Sequence, residues 1–145
     1  MDVILDTSVV VKWFIQPPEE DIEIALEIRD RIRIGAVHPI FPDLLLYELI
    51  NVLHHQPELT SEDVAAALDS LEEMTLDLHP FSSALGKEAT RISANNRVSA
   101  YDAYFIALAE ALECPLVTAD RRCYLRVRDR GSVILLRNWT VPERT

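Results

Sequence analysis

The chain of 145 residues has two cysteines and three glycines, and it lacks any apolar run near the ~18 residues that a membrane-spanning helix needs. Cys114 and Cys123 are too few and too far apart for a CxxC metal or redox motif, and two reduced thiols in a cytosolic protein are expected. No basic segment precedes an apolar stretch at the start, so no signal peptide is expected and the predicted location is cytoplasmic. His38, His54, His55 and His79 show no HExxH or other zinc spacing. No repeat, low-complexity tract or linker interrupts the chain. A single domain over residues 1–145 is expected, and at this length roughly 70% of the unfolded surface can be buried without staples.

Basic charge is scarce in the first half. Residues 1–80 carry 4 Lys and Arg against 17 Asp and Glu, whereas residues 81–145 carry 10 against 7, for a net charge of −10. That balance excludes a protein that coats nucleic acid by charge alone. It leaves room for a local basic rim from Arg121, Arg122, Arg126, Arg128 and Arg130, or simply for a solvated basic stretch.

The elements alternate in type. Residues 2–6 read as a short buried strand, because VIL is continuous rather than alternating. Ser8 is placed to cap a helix through Phe14. Pro17 and Pro18 with Glu19, Glu20 and Asp21 mark the next helix start, and Gly35 its stop. Residues 36–41 look extended, broken by Pro39 and Pro42. Asp43 is placed to cap a helix over about 44–55. Thr60 with Asp63 is a capping-box pattern opening a helix to about Met74. A strand over 76–81 and a helix over 82–96 follow. Ser99 with Asp102 repeats the capping spacing and opens a helix to about Glu113. Residues 115–118 and 133–136 complete the strands. Strands separated by helical stretches predict a parallel sheet sandwiched by helices, with ligands beyond the carboxyl ends of the strands.

Four acids are embedded in apolar or element-ending sequence: Asp6 in VILDTSVV, Glu48 in LLLYELINVL, Asp102 in SAYDAYFIALA and Asp120 after PLVTA. Each has a local explanation. Asp6 can open a turn or cap the first helix, Glu48 can face solvent between apolar stripes, Asp102 can complete a capping box with Ser99, and Asp120 can cap the turn before Arg121. Together they are placed to reach one pole of the sheet, where four carboxylates cannot all stay ionised without cations. An all-oxygen set suits Mg²⁺ or Mn²⁺. Ser8 and Thr118, each two residues from an acid, can orient it. Lys12, Arg121 and Arg122 are close enough in sequence to hold phosphates. Trp13 can stack on a base or, in an apolar helix, belong to the core.

The blocks LDTSVVVKWF, PDLLLYELINVL, SAYDAYFIALAEAL and PLVTADRR, in that order, resemble the PIN-domain nucleases, and within them the VapC toxins of toxin–antitoxin pairs. The resemblance spans about residues 1–138. It places the family's acidic set on Asp6, Glu48, Asp102 and Asp120, its hydroxyls on Ser8 and Thr118, and its frequent asparagine on Asn51. It implies an α/β three-layer sandwich with a central parallel sheet of four or five strands. It also implies an Mg²⁺- or Mn²⁺-dependent endoribonuclease, a small antitoxin partner and a homodimer.

Three other classes compete with this one. A PIN nuclease for RNA maturation would use the same residues. A phosphohydrolase or phospho-receiver also uses strand-end aspartates, but the chain lacks a DxDxT motif and a lysine after a late strand. A non-catalytic interaction module would need no converging acids. Acidic helices over 17–35 and 60–74 carry apolar stripes, Ile22, Leu26 and Ile28 in one and Val64, Ala67, Leu68 and Leu71 in the other. The stripes either face the core or flank a groove for a basic amphipathic partner helix.

Overall fold

Val3, Ile4 and Leu5 are wholly buried and form most of β1 (Asp2–Leu5), the central strand. The computed structural model, which describes residues 1–15 and 20–140, sets β2 (His38–Pro42) and β4 (Leu116–Thr118) on either side of it. With β3 (Asp77–His79) and β5 (Val133–Leu135) outside these, the sheet is five-stranded and parallel in every pairing, in the order β3-β2-β1-β4-β5. Parallel neighbours need crossover connections, and here helices supply them: α1 (Thr7–Val10), α2 (Ile22–Arg33), α3 (Leu44–His54), α4 (Ser61–Glu73), α5 (Ser83–Asn96), α6 (Ala100–Ala111) and α7 (Arg121–Val127). The continuous apolar run in β1 follows from burial on both faces.

The most buried helix is α6. Seven consecutive residues, Ala103 to Ala109, are buried, so it is apolar all round rather than on one stripe. It packs against β1, β2 and β4, and α5 packs against it. Phe105 and Ile106 are fully buried there. Trp13 is also core: it is buried in the one-turn 3₁₀ segment after α1, and its Nε1 donates to the Ala25 carbonyl at 2.8 Å.

Several element ends differ from the sequence expectation. Ser8 caps nothing, because α1 begins at Thr7 and Asp6 occupies the cap position with extended backbone. Asp43 precedes α3 but makes no side-chain cap bond, since its own backbone is already helical. Pro39 and Pro42 do not break β2: an extended strand tolerates the proline ring, and both prolines hold parallel register, with Val3 and His79. Strand β3 stops at His79, and Ser82 caps α5 by accepting from the Leu85 N–H. The last strand ends at Leu135, and Leu136–Asn138 form a 3₁₀ turn. Helix α7 has little periodic signal in the sequence, since only Cys123 and Val127 of its seven residues are buried. Gly35 does end α2 in left-handed backbone, at φ 77°. Of the expected start of α2, Pro17, Pro18 and Glu19 lie outside the described residues, whereas Glu20 and Asp21 stand in a turn before the helix, which begins only at Ile22 because Asp21 holds left-handed backbone.

Thr60 and Asp63 form a complete capping box on α4, with both reciprocal bonds present at 3.2 and 2.8 Å. Thr60→Ala is expected to lower the unfolding free energy by about 1 kcal/mol. Asp43→Ala, with no cap bond to lose, is expected to cost less. Urea denaturation of both variants checks the order, and a larger loss at Asp43 would contradict it.

Candidate active site

The parallel pairing of β1 with β4 fixes the first two positions. Leu5 pairs with Val117, so Asp6 and Thr118 emerge side by side at the carboxyl end of the sheet. The Asp6 N–H donates to the Val117 carbonyl at 2.9 Å. The Thr118 hydroxyl donates to Asp6 Oδ2 at 3.1 Å, and the Ser8 hydroxyl donates to the same oxygen at 2.5 Å. Ser8 Oγ in turn accepts from the Ala119 N–H at 3.0 Å, and Thr118 Oγ1 from the Asp120 N–H at 3.1 Å. The loops after β1 and β4 are thereby laced together around one carboxylate.

Helices bring the other two acids. Strand β2 neighbours β1, and α3 follows it directly, which sets Glu48 in the second turn over the same pole. The Thr7 hydroxyl donates to Glu48 Oε1 at 2.9 Å. Ser99 caps α6 by accepting from the Asp102 N–H at 3.0 Å, and the Asp102 carboxyl lines the cavity. Asp120 caps α7 by accepting from the Cys123 N–H at 3.0 Å and also lines the cavity. Capping and convergence are therefore compatible at both residues. Asp6, Glu48, Asp102 and Asp120 all border one cavity of about 360 Å³.

Burial and mutual repulsion raise Asp6, Glu48 and Asp102. Burial pushes the Asp6 carboxyl up, opposed by the Ser8 and Thr118 hydroxyls, with Asp120 adding to the rise. Glu48 is raised to about 7, chiefly by burial, then by Asp6 and Asp102. Asp102 is raised to about 6 by burial, then by Asp6 and Asp120. The Cys123 thiol is pushed up to about 12 by burial and by the same acids. An all-carboxylate donor set with this repulsion fits a hard divalent cation in chemistry. Among the described residues no three Asp, Glu, His or Cys side chains are already gathered closely enough to close on an ion.

The remaining expected residues divide. Lys12 is buried and lines this cavity, and its Nζ donates to the Glu20 carbonyl at 2.6 Å. Arg121 lines an adjoining polar pocket. Arg122 is exposed and lines neither. Asn51 is exposed on α3 and does not line the acid cavity; its carbonyl accepts from His55 Nδ1. No local sign in the sequence marks the settings of Thr7 and Cys123. Thr7 stands between two singled-out residues, but nothing local reveals which way its hydroxyl points where a strand turns into a helix.

Two apolar cavities lie elsewhere. The larger, about 720 Å³, is walled by Tyr47, Phe81, Tyr101 and Tyr104 and borders none of the four acids. Another, about 480 Å³, lies between α3 and α4, with Leu46, Ile50, Leu68 and Leu78 on its walls. That location corrects the expected groove between α2 and α4. The α2 residues Ala25 and Ile28 are buried and Ile24 and Leu26 pack against the core, so its stripe faces inward.

Comparison with known proteins gives a consistent result. The PIN domain family profile matches residues 3–129. The chain is 31% identical over 129 residues to Ribonuclease VapC3 of Pyrobaculum aerophilum, covering 84% of this chain and 92% of that one. Its fold is similar to FitAcB from Neisseria gonorrhoeae, with a TM-score of 0.69 at 17% identity over 94% of this chain and 99% of that one. It is also similar to a toxin–antitoxin complex from Klebsiella pneumoniae, with a TM-score of 0.68 at 13% identity over 92% and 97%.

The raised carboxyls fix the sign of a pH effect. A carboxyl whose folded pKa exceeds its unfolded value favours folding below the unfolded pKa, and that contribution is lost as pH rises through the folded one. For Glu48 the window runs from its ordinary value of 4.5 to about 7. Glu48→Gln keeps an acceptor for Thr7 and removes the charge. In metal-free buffer its melting temperature relative to wild type is expected to rise across that window. Thermal melts at stepped pH test this, and a constant difference would contradict it.

Proposed function

The chain belongs to the PIN-domain family, and from that premise we propose that it is a ribonuclease of the VapC kind, the toxin of a toxin–antitoxin pair. The observation that carries this reading is the convergence of Asp6, Glu48, Asp102 and Asp120 on one cavity at the carboxyl pole of a parallel sheet. Relatives supply the substrate class, since the similar Pyrobaculum aerophilum protein bears the name ribonuclease.

The four carboxylates would hold Mg²⁺ or Mn²⁺. Such an ion would supply Lewis acidity for water activation and charge compensation at the leaving oxygen of a phosphodiester. The chain's own residues supply orientation. Ser8 and Thr118 fix one oxygen of Asp6, which leaves its other oxygen for a ligand. Thr7 does the same for Glu48. Lys12, held at its Glu20 bond on the cavity wall, presents positive charge to a backbone phosphate. Among the described residues no histidine borders the cavity, and the proton acceptors on its walls are carboxylates. Cleavage of this kind leaves a 5′-phosphate and a 3′-hydroxyl.

Incubating purified protein with RNA and Mn²⁺ tests the reading. Asp6→Asn is expected to abolish cleavage, and Ser8→Ala to lower it by roughly 10–100-fold, the usual cost of losing a partner that orients a ligand. A 2′,3′-cyclic phosphate product would refute the mechanism.

The α3–α4 groove is the proposed seat of the antitoxin. Its apolar walls suit one face of an amphipathic helix. The acids of α4, Glu62, Asp63, Asp69, Glu72 and Glu73, suit basic residues on that helix. Ile50→Asp, at a partly exposed groove position, is expected to lose the co-expressed neighbouring gene product on gel filtration. Retention of the complex would remove the groove from consideration.

A further inference from the structure

The polar pocket over the ends of β4 and β5 carries further residues that have no part in the chemistry above. It measures about 470 Å³ and adjoins the acid cavity, with Lys12, Ala119 and Asp120 bordering both. Beyond that shared wall it presents Arg121 and Arg137. A chain of net charge −10 repels an RNA strand, and the acid cavity repels it most. Phosphates flanking the cleaved bond therefore need local cations, and Lys12, Arg121 and Arg137 offer them here, set among the acids Glu20, Asp21 and Asp120 that line the same pocket.

Arg137 is the residue best placed to act. It follows β5 in a 3₁₀ turn anchored by the fully buried Leu136 and the buried Trp139, so its backbone is fixed. Its guanidinium lies 3.7 Å from a Glu20 carboxylate oxygen and 3.8 Å from one of Asp21. These are long, solvent-reached ion pairs, with 39% of the Arg137 side chain exposed, and such pairs contribute little to stability. A phosphate offers the same guanidinium two oxygens in bidentate geometry. Glu20 and Asp21 thus hold the side chain over the pocket without locking it there.

We propose that this pocket holds the RNA backbone phosphate next to the cleaved bond, with Arg137 gripping it by exchange from Glu20 and Asp21. This rests on the ribonuclease reading and adds a positioning residue and a path for the strand, from the acid cavity toward β5.

The test uses the full chain carrying Asp6→Asn, in Mg²⁺, with fluorescein-labelled single-stranded RNA oligonucleotides of two unrelated sequences. Anisotropy is followed over a range of NaCl concentrations. Arg137→Ala is expected to weaken binding of both sequences alike and to reduce the salt slope by roughly 0.7, the value of one lost single-strand phosphate contact. Arg137→Lys is expected to keep the slope. Arg33→Ala, at the far end of α2, is expected to leave it unchanged. Asp21→Asn, which tolerates the left-handed backbone at φ 59°, removes a competing charge and is expected to tighten binding. An unchanged slope for Arg137→Ala, beside measurable RNA binding, overturns the proposal and leaves the ribonuclease reading standing. Weaker binding by Asp21→Asn makes the ion pair a structural clamp and also overturns it. Absence of salt-dependent RNA binding by the parent chain overturns both.

Discussion

Four carboxylates bordering one partly buried cavity repel one another, and much of the surrounding structure is arranged to withstand that repulsion. Asp6 bears most of the burden, being buried at the end of the central strand. Two hydroxyls and a laced pair of loops hold it in place. Burial and the neighbouring acids raise Glu48 to about 7 and Asp102 to about 6, a cost that a bound cation would offset. Sites that trade stability for function in this way need a rigid frame.

The frame comes from the apolar half of the molecule. Val3 to Leu5 fix β1 at the centre of the sheet, and the all-round burial of α6 fixes the helix that presents Asp102. A parallel sheet sends every strand's carboxyl end to the same pole. Residues far apart in sequence, such as Asp6 and Asp120, therefore meet without any local signal between them.

Much of this was legible in the sequence because each part had a local cause. Continuous apolar runs gave the buried strands, and Thr60 and Ser99 marked helix starts that the structure keeps. The four acids stood out because charge inside apolar sequence is costly. What could not be read depends on direction and packing. Ser8 looked like a cap and instead bonds Asp6, since the helix starts one residue earlier. Asp43 has a capping side chain in a backbone that does not use it. Helix α7 buries too few residues to show a period, and Thr7 and Arg137 acquire their settings only when separate loops come together.

The central claim is that the converging carboxylates form a divalent-cation site. Thermal melting of metal-stripped protein against Mn²⁺ concentration, wild type beside Asp102→Asn, tests it most directly. Asparagine keeps the backbone bond to Ser99 and removes the charge. Binding to the folded state alone stabilises by about 2.7 kcal/mol at a hundredfold excess over Kd. The account predicts a wild-type midpoint that climbs with Mn²⁺ and a variant that responds weakly. Midpoints that ignore Mn²⁺ in both proteins would contradict it.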